Sequence, residues 1–178
     1  MVKKHKAIAI PVTFSHGNEP RFLTVRDVRF RDWIFVTGGC RRREISNPIR
    51  TALRELEEET RGVICLKSGE FSDYKFVVRE SPTVELEYNV FIFFVDFDRT
   101  EQTNQVRRFY EEKAKTNYKK LHNQPIRKTF DENDYMCYDT LSEFNSRKRW
   151  KLIVDNVIKN PRFYECVKTR DRKTFSIK

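Results

Sequence analysis

Glu55, Glu58 and Glu59 stand at i, i+3 and i+4. In a helix that spacing puts three carboxylates on one face. Like charges so placed repel, at a cost of about 0.2–0.5 kcal/mol per pair. A hard divalent cation offsets the cost, because Mg2+ or Mn2+ prefers carboxylate oxygens and water. Such an ion neutralises phosphate oxygens and activates or positions a water for attack. Taken alone, the same helix can equally be a solvated acidic face balanced by Arg50, Arg54 and Arg61.

The neighbouring sequence is suited to holding such a helix. Ser46 or Asn47 can cap it, Pro48 suits its first turn, and Ile49, Leu53 and Leu56 give it an apolar face to about residue 60. Gly62 is a stop signal. Residues 33–36 read as a short buried strand ending at Gly38-Gly39, followed by a loop that carries Arg41, Arg42, Arg43 and Glu44. Upstream, residues 7–14 are β-rich and broken by Pro11, 15–20 read as a turn, and 21–28 as the returning strand of a hairpin. Downstream, 74–79 and 84–97 are β-rich. In the second of these, Glu85, Glu87 and Asn89 alternate with apolar residues before a wholly apolar run at 91–95.

The chain then changes character. Residues 99–130 are polar and basic and read as an insertion, helical over 105–121. Residues 135–138 read as a last strand. Trp150, Ile153, Val154, Val157 and Ile158 lie on one face of a terminal helix. Pro161 is expected to end that helix, and the basic tail 161–178 to fray. One domain is therefore expected, with a core at about 5–98 and 131–160.

The chain has 178 residues, 38% of them hydrophobic and 35% charged, enough to bury a core beneath a densely ionic surface. Its formal net charge of +10 favours polyanionic partners, nucleic acid or a phosphate-rich small molecule. Cys40, Cys65, Cys137 and Cys166 form no CxxC pair, which excludes the common zinc patterns and points to reduced thiols in an intracellular, cytoplasmic setting. The longest apolar run is too short to span a bilayer, so no membrane partner is expected.

The stretch Arg54-Glu55-Leu56-Glu57-Glu58-Glu59, preceded by Gly38-Gly39 and followed by Gly62-Val63, resembles the Nudix hydrolases. Members of that family cut diphosphate linkages with a divalent ion. The resemblance implies an α+β Nudix fold: an α/β/α sandwich around a mixed β-sheet with a catalytic loop–helix–loop, here carrying the basic insertion and a C-terminal helix. It implies Mg2+ or Mn2+ as cofactor, held by Glu55, Glu58, Glu59 and Gly39, with Arg54 bracing the loop or the carboxylates. Two departures stand out. Gly39 lies one residue further from Arg54 than the family spacing, so the family's loop glutamate falls at Ser46 while Glu44 comes two residues early. Arg61 is an extra residue before the family glycine.

A catalytic carboxylate from outside the motif is also implied. Glu87 is the first choice because it lies on the polar face of a strand expected to cross near the helix; Glu85, Glu132 and Asp134 are the others. With Glu58 and Glu59, Glu87 and Glu132 make the expected catalytic set. Substrate phosphates would meet Arg41, Arg42, Arg43 and Arg54.

The chain also resembles, more thinly, the mRNA-decapping Nudix enzymes of large DNA viruses, through Glu87-Tyr88 before the apolar strand, the acidic run 131–134 and the basic segment from Ser146. That implies capped RNA as substrate in the host cytoplasm, 7-methyl-GDP and 5′-monophosphate RNA as products, and RNA phosphates held by Lys113, Lys119, Lys120, Arg127 and Lys128. Phe30, Tyr74, Tyr110 and Tyr118 are candidates to stack on the cap base. The alternatives are small substrates (dinucleoside polyphosphates, ADP-ribose or diphosphoinositol polyphosphates) and a non-catalytic nucleotide- or RNA-binding module.

Overall fold

The computed structural model describes residues 1–14, 17 and 19–177; half of the turn expected at 15–20 (Ser15, His16 and Asn18) lies outside them. One sheet organises the chain. Its strands are β1 (Val2–Thr13), β2 (Arg21–Asp27), β3 (Trp33–Ile34), β4 (Val36–Gly39), β5 (Ser68–Ser81), β6 (Val84–Phe94), β7 (Asn133–Asp139) and β8 (Lys173–Ser176). The main order is β3-β2-β1-β6-β5-β8, with β4 paired to β1 and β7 to β2. β1 and β6 run parallel, and the other strand pairs are antiparallel. The sheet is therefore mixed.

β1 starts at Val2, five residues earlier than its apolar run suggests, because Val2 pairs with Val84 and the register continues to Val12 and Phe94. Pro11 does not break it. On its antiparallel side β1 is paired with β4 up to Ala9 and with β2 from Val12 onward. Pro11 falls in the gap, where no neighbour needs its missing N–H.

Alternation along β1 and β6 gives the sheet two apolar faces. Ile8, Ile10, Val12, Leu86, Tyr88, Val90 and Ile92 form one, covered by α3 (Leu141–Asn145), α4 (Lys151–Ile153) with its π-helical continuation through Val154–Ile158, and α5 (Pro161–Lys168). Ala7, Ala9, Phe91 and Phe93 lie on the other, beneath α1 (Ile49–Glu59) and α2 (Arg99–Leu121). Helices on both faces make the expected α/β/α sandwich. The small side chains of Ala7, Ala9 and Ala52 meet between sheet and α1, which lets the helix lie close to the strands that carry the site.

α2 begins at Arg99, six residues before the predicted start, because the Asp98 carboxylate caps it by accepting the Glu101 amide proton at 2.8 Å. It buries Gln102, Gln105 and Phe109, and Phe109 joins the α1-side core, so the segment expected as an insertion is packed against β7.

Two expectations for the C-terminus are overturned. Pro161 opens α5 instead of ending a helix: proline costs nothing in a first turn, where its N–H would be unpaired, and Asn160 caps the helix through the Arg162 amide at 3.0 Å. The tail does not fray, because β8 pairs with β5 and Phe175 packs against Phe71 and Phe93. The four cysteines are free. Among the described residues no helix is long and apolar enough to cross a membrane.

Candidate metal centre

Four pieces of chain meet around the C-terminal half of α1. The first is the end of β4. An added Cβ on Gly38 would stand 2.0 Å from Cδ of Glu55, so only glycine leaves room for that side chain. The second is the 3-10 turn Arg42–Glu44. Glu44 is buried, accepting the Arg41 amide at 2.9 Å, the Thr51 hydroxyl at 3.1 Å, and two Arg54 nitrogens at 3.0 Å each. Burial opposes its ionisation, but these donors outweigh burial and hold it at about 2. Glu44 is thus the loop carboxylate that braces the helix. Five residues separate it from Gly38, and the surplus residues fall between Glu44 and Arg54.

The third piece is α1 itself. Besides Glu44, Arg54 donates to Glu55 Oε1 at 2.8 Å, to Glu58 Oε2 at 3.4 Å and to the Gly39 carbonyl at 3.0 Å. One guanidinium therefore ties the Gly-Gly loop, the 3-10 turn and the helix carboxylates together, which a fork of five donors can do and an ammonium cannot. Its engagement with this network leaves Arg54 a brace, with Arg41, Arg42 and Arg43 exposed on the turn; Arg41 reaches Glu58 at 3.7 Å.

The fourth piece is the segment 131–133, which leads into β7. Oxygen atoms of Glu55, Glu59 and Glu132 lie within 4.8 Å of one another. Burial raises Glu55 to about 7, with Glu58 and Glu132 adding to the rise and Arg54 opposing it. Burial, reinforced by Glu55 and Glu132, pushes Glu59 well above the ordinary carboxylate range. Burial and the Glu58 charge raise Glu132 too. Three carboxylates that resist ionisation together suit a divalent cation, whose charge would stabilise all three as anions. Glu58 lies beside them, half-buried and paired with Arg41 and Arg54.

Glu87 is placed elsewhere. It accepts the His5 ring nitrogen at 3.1 Å and lies 3.7 Å from the Lys3 ammonium, across the β1–β6 pairing. Glu85 is opposite Lys3 in the same register. Asp134 is held below its ordinary range, where burial is outweighed by a two-pronged bond from Arg26 at 2.9 and 2.7 Å. Of the carboxylates considered outside α1, Glu132 is the one that joins the cluster.

Two residues to which the sequence assigned no site role shape this site. Asn133 donates to Glu59 Oε2 and to the Glu59 carbonyl, both at 3.2 Å. Arg61, the extra residue of the motif, takes the left-handed conformation (φ 57°) and turns its buried guanidinium back onto the segment. It donates to the Asn133 carbonyl at 2.7 Å and to Asp131 at 3.1 Å, and lies over the Phe109 ring. Glu132 is thus held between two anchored neighbours. Arg61→Ala is expected to weaken Mn2+ binding by roughly 10–100-fold, the usual cost of removing a group that orients a ligand. Titrating Mn2+ by electron paramagnetic resonance checks this; unchanged affinity would mean that Arg61 does not position Glu132.

The basic residues of the second half are mixed in their roles. Lys113 donates to the Asp134 carbonyl at 3.1 Å, Lys120 pairs with Asp131, and Arg127 lies 3.9 Å over the Phe130 ring. Lys119 and Lys128 are exposed. Of the aromatic candidates, Tyr74 is buried and donates to the Asn156 carbonyl at 3.3 Å, Tyr110 packs edge-on to Phe109 and Tyr135, and Tyr118 stacks on His122. Phe30 is exposed.

The family model for the NUDIX domain matches residues 3–134. No curated protein matches the sequence. Among solved structures, the NUDIX domain of Shewanella oneidensis NrtR, crystallised with ADP ribose, is similar at TM-score 0.51 and 11% identity over 84% of this chain and 80% of that one. RenU, a Nudix hydrolase of M. smegmatis, gives TM-score 0.51 and 9% identity over 82% and 76%. At these identities the likeness is one of fold. The family match covers well over half of the chain and includes the braced glutamate helix: this chain belongs to the Nudix family.

Proposed function

We propose that the protein is a divalent-metal-dependent pyrophosphohydrolase whose ion is held by Glu55, Glu59 and Glu132, with Glu58 beside them. The observation that carries this reading is the convergence of three carboxylates, each raised above its ordinary range, at the end of a helix braced by Arg54. A bound Mg2+ or Mn2+ would supply charge neutralisation for the anhydride oxygens. The residues do the rest. Arg54 and Glu44 fix the loop, Gly38 makes room for Glu55, and Asn133 orients Glu59. Glu132, partly exposed, is placed to take the proton of the attacking water as its oxygen bonds to one phosphorus and the P–O bond to the leaving phosphate breaks.

For the substrate we favour capped RNA, cleaved to 7-methyl-GDP and 5′-monophosphate RNA. The support is the net charge of +10 and the basic end of α2, which is joined through Lys120 and Asp131 to the segment carrying Glu132. Lys119, Lys120, Arg127 and Lys128 would then continue a phosphate path away from the centre. A second reading, a small polyphosphate derivative, is favoured by the exposed Arg41, Arg42 and Arg43 beside the helix.

The test is a panel of cap-labelled RNA, free cap analogue, ADP-ribose, a dinucleoside tetraphosphate and a diphosphoinositol phosphate, each with Mn2+ or Mg2+. Release of 7-methyl-GDP from capped RNA, weakened steeply by salt, supports decapping. Cleavage confined to the small molecules overturns that assignment and supports the second reading.

A further inference from the structure

On one flank of α1 lies a cavity of about 670 Å3 bounded by the loop at 41–47, the helix residues Arg50, Leu53, Arg54 and Glu57, the chain at 65–67 and Ile177. Five cations line it (Arg41, Arg43, Arg50, Arg54 and Lys67) against two carboxylates, Glu44 and Glu57. Glu44 is already neutralised by Arg54. Arg43, Arg50 and Lys67 are exposed and form no ion pair among the described residues. A recess of this size is in the range of small-molecule sites, and unpaired cations facing into it favour an anion carrying several charges.

The cavity also adjoins the metal centre. Arg54 lines it and bonds Glu55 and Glu58 on its other side; Arg41 lines it and lies 3.7 Å from Glu58. An anhydride placed at the carboxylate cluster would therefore find these two arginines at the boundary and three further cations beyond them.

We infer that this cavity binds the phosphoryl groups of the substrate that are not cleaved, so that the protein selects substrates bearing three or more phosphates over those with a single diphosphate. The inference rests on the hydrolase reading for its consequence in turnover, but not for binding itself. Arg50 and Lys67 are the specificity residues, because they lie in the cavity and away from the carboxylate cluster.

Two measurements on the full chain separate the claims. The first is calorimetric titration with inorganic tripolyphosphate in EDTA, for the wild type and for R50Q/K67Q. Both positions are exposed, so the fold should persist, and a circular dichroism melt verifies it. Loss of roughly tenfold in affinity is expected for two lost charge-assisted contacts; equal affinity overturns the site. The second is kcat/KM with Mn2+ on a dinucleoside tetraphosphate and on ADP-ribose. The double variant should lower the ratio of the two by roughly tenfold, and an unchanged ratio overturns the selectivity. If the wild type cleaves no member of the substrate panel, capped RNA included, while tripolyphosphate still binds through Arg50 and Lys67, the hydrolase reading fails and the anion site stands.

Discussion

Glu59→Gln is expected to lower turnover by about a thousandfold and, at the same time, to stabilise the metal-free protein. The two effects share one cause. Glu59 is buried, hydrogen-bonded to Asn133, and within 4.8 Å of two other carboxylates. With a divalent ion present, its charge is a ligand, and losing several kcal/mol of charge stabilisation corresponds to a factor on the order of 10^3 in rate. Without the ion, that charge is only a desolvated like charge. The sign of the pH dependence follows. Glu55 rises from 4.5 to about 7 in the folded protein, and burial likewise pushes Glu59 well above the ordinary carboxylate range. Between about 4.5 and 7 the folded state holds protons that the unfolded state has released, so the stability of the metal-free protein falls as pH rises through that window. The glutamine variant removes one of the two groups, and should make that fall shallower. Melting curves in EDTA from pH 5 to 8, beside turnover in Mn2+, give both readouts. A variant less stable than wild type at pH 8 in EDTA would show that Glu59 is not carrying a repelled charge.

The second large effect is expected at Arg54. Arg54→Lys keeps the positive charge and loses the fork that spans Glu44, Glu55, Glu58 and the Gly39 carbonyl. Removing one partner of a buried ion pair costs about 3–5 kcal/mol. Lysine recovers a part of that, so about 2–3 kcal/mol of stability should be lost, with turnover down by roughly a hundredfold as the loop and Glu55 lose their register. Urea unfolding should show a lower midpoint at unchanged slope. Combining Arg54→Lys with Glu44→Gln makes a double-mutant cycle. Strong non-additivity is expected, because both changes break the same bidentate pair; additive effects would contradict the bracing role.

The helix itself was legible because its apolar positions and its three glutamates each follow the helical repeat. The central strand was legible because 91–95 is apolar on both faces. The loop was harder. Counting back from Arg54 puts the family's glutamate at Ser46, whereas the structure uses Gly38 and Glu44, and a turn absorbs the surplus residues before Arg54. Packing shows this at once, since Gly38 is the glycine against which Glu55 lies. The role of Arg61 was not legible either. As an added residue it marks a deviation, and only its left-handed backbone turns it toward 131–133. Between Glu87 and Glu132 alternation could not decide, because Glu87 lies within β6 and Glu132 just before β7; the choice depends on which of them the fold brings to the C-terminal half of α1. Pro161 and the tail were misread for a related reason: a proline ends one helix or starts the next, and β8 becomes a strand only because β5 offers it an edge.

The central claim is that the Glu55, Glu59 and Glu132 cluster holds the ion for phosphoanhydride hydrolysis. Its most direct test is hydrolysis of the substrate panel in 18O-labelled water, followed by mass spectrometry, with Mn2+ present and then removed by EDTA. One 18O atom should enter a single phosphate product, and turnover should stop on chelation, return on adding Mn2+, and be lost in Glu59→Gln and Glu132→Gln. Cleavage that persists in EDTA, or full activity in both variants, would contradict it.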